Sequence, residues 1–307
     1  MKWTGVMPAL TTAFDENLNV DREFVARHAR WQIENGVSGL VALGSLGEAA
    51  TLRPEEKLAI IETLVGQAES KVPVVAAISA LSTDEAVWLA KRVEERGAKG
   101  LMILPPYVYK GDWVETKSYV AAVLEATVLP AMLYNNPVAY GTDFTPEQIQ
   151  ELAAEFQNLQ AVKESSTDVR RVTAIRALTG DRLAIFVGVD DAIVEGIAAG
   201  AVGWIAGLVN ALPRESVDLF ELASAGKVKE AFELYRWFLP LLRMDTVPKF
   251  IQLIKQVQQE VKVGNARVRG PRLEVAGAEL AAVRDAVARA MANRPGVARK
   301  STPFAAQ

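Results

Sequence analysis

The sequence predicts an α/β chain, a (β/α)8 TIM barrel with additional C-terminal helices. Three observations predict it. Eight short apolar runs alternate with longer amphipathic ones. The short runs are rich in Val, Ile, Leu and Ala and lack clean polar alternation, as expected of strands covered on both faces. Three helix-to-strand joins share one form. With 307 residues, half of them hydrophobic, the chain can fill one barrel core and still have helices to spare.

The strand-like runs are 6–12, 39–43, 72–78, 100–104, 131–134, 160–163, 184–188 and 203–206. The first helical pattern covers 21–32. Pro54 suits the first turn of the second, and Thr83-Asp84-Glu85 opens the third. The fourth covers 113–124. Thr145 is a candidate cap for the fifth, with Pro146 behind it. Patterns at 168–178, 191–198 and 213–224 complete eight βα units. The joins at Gly36–Gly39, Gly97–Gly100 and Gly200–Gly203 each place one Gly to stop a helix at positive φ and a second where the strand begins.

Three further helices are expected at 228–241, 249–258 and 279–291. In the first, Ala231, Leu234, Phe238 and Leu241 share a face; in the last, Leu280, Val283, Val287 and Met291 form a stripe. They can close the barrel base, pack on its side or build an oligomer contact. The domain reading is a barrel over 1–225, a helical extension over 226–293, and a Pro-, Ala- and Arg-rich tail over 294–307 that is loosely held.

The net charge of -3, from 34 basic and 37 acidic residues without long runs of one sign, argues against a nucleic-acid groove or an anionic membrane as partner. With no cysteine, thiol chemistry and thiolate metal sites are excluded. The N-terminus shows no signal-peptide pattern, and the apolar stretch 200–212 is short and Gly-broken, so a soluble cytoplasmic protein is expected. His28, the only histidine, lies mid-helix between Arg27 and Arg30 and reads as a surface residue. No metal set and no GxGxxG or Walker-type loop is present. Glu55/Glu56 and Asp190/Asp191 read as helix starts.

Barrel chemistry comes from the C-terminal ends of strands. There the sequence places Gly44-Ser45-Leu46-Gly47-Glu48, Tyr134-Asn135-Asn136-Pro137 and Lys163-Glu164-Ser165. Lys163 ends an apolar run. Burial would lower its pKa, and the neutral amine could attack a ketone or exchange with an imine. Alternatively, it is a strand-end lysine reaching solvent or Glu164. Tyr134 can move protons beside the amine, or be a plain mouth aromatic. Gly44 and Ser45 can offer N–H groups and a hydroxyl to a carboxylate, or form an ordinary capped turn. Glu48 is expected to fix loops through hydrogen bonds.

These motifs resemble the dihydrodipicolinate synthase / N-acetylneuraminate lyase family over the barrel and the C-terminal helices. The G-[ST]-x-G-E motif is Gly44–Glu48, Y-N-x-P is Tyr134–Pro137, and K-[DE]-[ST] is Lys163–Ser165. The resemblance implies that Lys163 forms the Schiff base, that Tyr134 transfers protons, and that Ser45 binds the carboxylate and relays protons. Gly188 and Ile205 match pocket-lining positions. Gly44, Leu46, Asn136, Ala139 and Tyr140 complete the expected substrate contacts. It further implies a homotetramer, a dimer of dimers, with no metal or organic cofactor.

Three departures narrow the substrate. Leu46 replaces a hydroxyl residue. Ala139 stands where the synthase pattern has an arginine that grips a second carboxylate. Val108 stands at the position of the aromatic relay residue lent by a neighbouring subunit, with Tyr107 and Tyr109 beside it. The expected substrate is a small 2-keto or cyclic-imine carboxylate. The leading expectation is deamination and dehydration of 1-pyrroline-4-hydroxy-2-carboxylate to 2-oxoglutarate semialdehyde. The alternatives are a 2-keto-3-deoxy sugar acid aldolase or dehydratase, a 4-hydroxy-tetrahydrodipicolinate synthase-like condensation, and a non-catalytic binding barrel.

Overall fold

The computed structural model describes residues 1–296 and 302–304. In chain order the elements are β1 (Gly5–Pro8), α1 (Arg22–Glu34), β2 (Leu40–Ala42), α2 (Pro54–Ala68), β3 (Val74–Ile78), α3 (Thr83–Glu95), β4 (Gly100–Ile103), α4 (Trp113–Glu125), β5 (Ala131–Asn135), α5 (Pro137–Tyr140), α6 (Pro146–Glu155) and β6 (Leu159–Glu164). They continue with α7 (Arg170–Thr179), β7 (Ala184–Val187), α8 (Ile193–Ala198), β8 (Gly203–Ala206), α9 (Pro213–Ser224), α10 (Val228–Leu242), α11 (Phe250–Glu260) and α12 (Gly277–Ala292). The eight strands pair in parallel in the order β1-β8-β7-β6-β5-β4-β3-β2. The parallel bridge Ala9–Val41 brings the two ends together. This is the (β/α)8 barrel with extra C-terminal helices.

Local chemistry sets the element ends. Pro54, Pro146 and Pro213 each occupy a first helical position, where the missing N–H costs nothing. Thr145 and Gln148 form a reciprocal capping box at α6. The three shared joins have Gly36, Gly97 and Gly200 at φ +95°, +89° and +108°, as the helix-stop reading requires. α3 opens at Thr83 as expected, and Ser82 before it caps the helix by accepting from Glu85 N at 3.2 Å. Other boundaries move. Asp168 accepts from Arg170 N, so α7 begins two residues later than expected. The first strand ends at Pro8. Beyond it Ala9 N donates to Ala206 O and Leu10 N to Val41 O, so the chain crosses from β8 to β2 instead of continuing one ladder.

The strands carry the core: Val75, Ala76, Ile78, Ile103, Leu133, Val162, Ile185, Phe186 and Trp204 are all buried. In the extension, Ala231, Leu234, Phe238 and Leu241 of α10 are buried as one face. Trp237 Nε1 donates to Ala290 O of α12 at 2.9 Å. Lys255 of α11 reaches Thr12 O and Glu48, both just beyond strand C-terminal ends. The extension therefore meets the mouth of the barrel, not the base that was one of the expected placements.

Two expectations are corrected. His28 is buried, stacked on Phe24 at 5.4 Å and bonded to Asn210 O at 2.8 Å. Burial lowers its pKa to about 4, so it is a neutral packing residue. Within the tail expected to be loose, Thr302 O accepts from Trp31 Nε1 at 2.6 Å, and Thr302 N donates to Asn35 Oδ1 at 3.1 Å. The Phe304 ring meets Trp31 edge-on at 5.3 Å, which anchors this segment on α1. The remaining tail positions, 297–301 and 305–307, lie outside the described residues.

Candidate active site

Lys163 is the penultimate residue of β6, paired in register with Tyr134 of β5 and Phe186 of β7. It is 6% exposed. Its Nζ stands 4.0 Å from the centre of the Tyr134 ring. Burial brings the ammonium pKa down to about 8 against the opposing pull of Asp245 and Asp190. About a tenth of the side chain is then a free amine at pH 7, against well under a thousandth at the ordinary value. A lysine reaching solvent is excluded. So is pairing with Glu164, whose carboxylate accepts from Asn135 Nδ2 and Ser166 N instead.

Tyr134 is buried, and burial pushes its hydroxyl up to about 12. Asn136 Nδ2 donates to that hydroxyl at 3.0 Å, and Asn136 Oδ1 accepts from Ala139 N at 3.0 Å. Asn136 thus caps α5, a turn absent from the sequence reading, and holds the tyrosine. α5 carries Tyr140 to the site: its hydroxyl bonds Ser45, and its ring meets Tyr134 edge-on at 5.8 Å. Tyr107 packs against Tyr140 at 6.1 Å. Tyr109 turns away to Glu115, and Val108 is 73% exposed. Of the three loop residues, Tyr107 is therefore the one that joins the site within this chain.

The remaining expected positions divide. Gly188 lies directly beside Lys163: a Cβ there would be 2.5 Å from Lys163 Cε and would collide with Ser165 Oγ. Gly44 is buried next to Ser45. Leu46 and Ile205 are 3% and 1% exposed and belong to the core. Ala139 and Val138 are exposed on the rim. Glu48 does hold loops together: fully buried, it accepts from Lys255 Nζ at 2.8 Å and Arg269 N at 3.0 Å.

Two acids were misread or missed. Asp190 is not a helix cap. The helix after it starts at Ile193, behind an irregular turn, and Asp190 is buried. It accepts from Trp204 Nε1, Gly207 N and Leu208 N at 2.9–3.3 Å. Burial raises its pKa to about 6. Asp245, in the α10–α11 connection, lies against Gly207 and acts on the Lys163 amine. A position some eighty residues from Lys163, outside every βα unit, carries no barrel-pattern signal.

The profile of the Dihydrodipicolinate synthetase family matches residues 2–290. The chain belongs to that family. The 4-hydroxy-tetrahydrodipicolinate synthase of Agrobacterium fabrum is 33% identical over 267 residues, 87% of this chain and 91% of that one. That of Bartonella bacilliformis is 34% identical over 239 residues, 78% and 81% of the two chains. The solved Methylacidiphilum fumariolicum synthase superposes with a TM-score of 0.90 at 25% identity, covering 95% and 98%. A prophage protein of the same family from E. coli, solved with pyruvate, gives 0.89 at 25% identity, covering 94% and 99%. As a family member the chain is a lysine Schiff-base enzyme of the lyase type. The activity named for these synthases favours the condensation alternative over the cyclic-imine deamination that led the sequence reading. Among the described residues no helix is long and apolar enough to cross a membrane, and no three His, Cys, Asp or Glu side chains are grouped to hold a metal.

Proposed function

We propose that the protein makes or breaks a carbon–carbon bond through an imine between Lys163 and a small 2-oxo acid of the pyruvate type. The observation that carries this is the buried Lys163 amine, its pKa lowered to about 8, over the Tyr134 ring. The neutral amine adds to the C2 carbonyl, and loss of water leaves a protonated imine. That cation withdraws electrons from C3, so a C3 proton leaves and the enamine attacks an aldehyde; cleavage is the reverse. In this reading Tyr134, whose ring meets Tyr140, moves the protons, and Tyr140 in turn bonds Ser45. The N–H groups and hydroxyl of the Gly44–Ser45 turn would receive the substrate carboxylate. The pyruvate bound by the E. coli relative supports this donor.

One further feature favours condensation. Lys110 Cε would stand 2.6 Å from a Cβ on Gly141, so a cation lies over the turn two residues beyond Ala139. It can answer a second carboxylate where the arginine is missing. The exposed, apolar Ala139 and Val138 favour a second reading, in which a one-carboxylate cyclic imine exchanges onto Lys163 and loses ammonia. Neither reading calls for a metal or organic cofactor. The family resemblance supports a cytoplasmic homotetramer, which sedimentation tests.

The deciding experiment is borohydride reduction with pyruvate, a 2-keto-3-deoxy sugar acid or 1-pyrroline-4-hydroxy-2-carboxylate, with the adduct located by peptide mass spectrometry. A pyruvate-sized adduct on Lys163, with pyruvate consumed in the presence of an aldehyde acceptor, is the expected result. Ammonia release from the pyrroline moves the assignment to the deaminase. No adduct on Lys163 with any of them rejects the mechanism.

A further inference from the structure

Tyr140 joins two strand ends that are not neighbours. It is the last residue of α5, the turn after β5, and its hydroxyl bonds Ser45 in the turn after β2. β3 and β4 lie between those strands, so the side chain crosses the mouth of the barrel. Both ends are fixed by backbone. At one end Asn136 caps α5 by accepting from Ala139 N, and Gly141 closes it at φ +71° with its N–H on Pro137 O at 2.8 Å. The ring packs between Tyr134 and Tyr107, at 5.8 and 6.1 Å. At the other end Glu48 N donates to Ser45 O at 3.0 Å, and Glu48 itself is fully buried. What is left free is the Ser45 hydroxyl hydrogen, which turns about the Cβ–Oγ bond. Among the described residues Ser45 Oγ has no hydrogen-bond partner but Tyr140.

A phenol is a stronger acid and a weaker acceptor than an alcohol, so Tyr140 donates and Ser45 Oγ accepts. Burial holds the Tyr140 hydroxyl above the ordinary phenol range, so the donor keeps its proton at neutral pH. The bond occupies a lone pair of Ser45 and leaves its one hydrogen unspent. We propose that Tyr140 is a positioning residue that turns the Ser45 hydroxyl hydrogen onto the carboxylate of the 2-oxo acid bound at Lys163. The proposal rests on the Lys163 imine and on the carboxylate seat at Gly44–Ser45, and adds the residue that orders that seat. Receiving a hydrogen bond polarises the serine O–H and strengthens what it donates. Fixing the hydroxyl before substrate arrives also removes an ordering cost from binding. Tyr140 therefore acts on capture of the carboxylate, while proton transfer at the reacting carbons stays with Tyr134. A ketone without a carboxylate gains nothing from it.

The test is the half-saturating concentration for borohydride trapping on Lys163, measured with pyruvate and with acetone, a ketone that has no carboxylate. Tyr140→Phe keeps the ring and removes the donor. It should raise the value for pyruvate about 10-fold, in line with a hydrogen bond to a charged group. The value for acetone and the saturated trapping rate should stay as they are, a split that a merely structural role does not produce. In a Ser45→Ala background the same substitution should add nothing, because the hydroxyl through which it acts is gone. Tyr140→Leu replaces Tyr140→Phe if the latter does not fold, with the same pyruvate-selective rise required. An unchanged pyruvate value in a folded Tyr140 variant, a rise shared equally by acetone, or a full further rise in Ser45→Ala overturns the proposal and leaves the Lys163 imine intact. A fall for pyruvate overturns it too, since Tyr140 then holds the serine hydrogen away from substrate. A wild-type protein that forms no adduct overturns both.

Discussion

A Cβ on Gly188 would lie 2.5 Å from Lys163 Cε. The lysine stem runs through the space that any other residue at 188 would fill. Gly188→Ala should therefore displace Lys163 and cut pyruvate trapping by about 100-fold. The fold should be retained at a cost of about 1–3 kcal/mol for overpacking. Trapping kinetics and a thermal melt measure the two effects separately; unchanged trapping would show that the stem does not need this space.

The Lys163 pKa of about 8 fixes a pH profile. Only the neutral amine adds to a carbonyl, so the trapping rate should rise about tenfold per pH unit below that value and level off above it. A rate independent of pH between 6 and 8 would contradict a lysine lowered to this extent.

Tyr134→Phe keeps the ring under Lys163 Nζ and removes the hydroxyl that Asn136 holds. Turnover should drop by about 100- to 1000-fold, with KM for the 2-oxo acid little changed. Ser45→Ala, which unties Tyr140, should cost less and should raise KM as well. Steady-state kinetics on purified variants give both numbers.

The Glu48–Lys255 pair is buried on both sides, and the lysine also stands 4.5 Å from the Phe14 ring. Glu48→Gln leaves an unpaired buried ammonium and should destabilise the protein by about 3–5 kcal/mol. Joint replacement with Glu48→Leu and Lys255→Met should recover most of that. Denaturant titration of single and double variants checks the difference; equal losses in both would show that the ion pair is not what binds α11 to the mouth.

His28 should make stability depend on acid. Its pKa is about 4 in the fold and 6.5 as a free side chain, so between these values the unfolded chain binds the extra proton. Stability is retained above about pH 6.5 and is lost as pH falls towards 4, by about 3 kcal/mol from this group. His28→Gln should flatten that part of the profile. Denaturant midpoints at pH 7 and 4.5 for both proteins test it.

The barrel was legible because its strands are buried on both faces, so Val74–Ile78 or Gly203–Ala206 can be recognised from composition alone. The helix starts at Pro54, Pro146 and Pro213 are local backbone chemistry, visible without any neighbour. Lys163, Tyr134 and Ser45 were legible as motif residues on strand ends. Three kinds of feature were not. The burial of His28 depends on Asn210 and Phe304, far away in the chain. The turn Pro137–Tyr140 is held by one Asn136 side chain. The role of Asp190 depends on donors from β8 and the turn after it.

The sequence by itself determined the eightfold alternation, the helix caps and the identity of the residues at the strand ends, because burial pattern and capping are set within a few residues. Only the tertiary structure decided the state of those residues. The lowered pKa of Lys163, the gap at Gly188, the pairing of Ser45 with Tyr140 and the arrival of Asp245 from the C-terminal extension all arise where distant segments converge. Desolvation and close packing are properties of that convergence, and no stretch of the chain carries them alone.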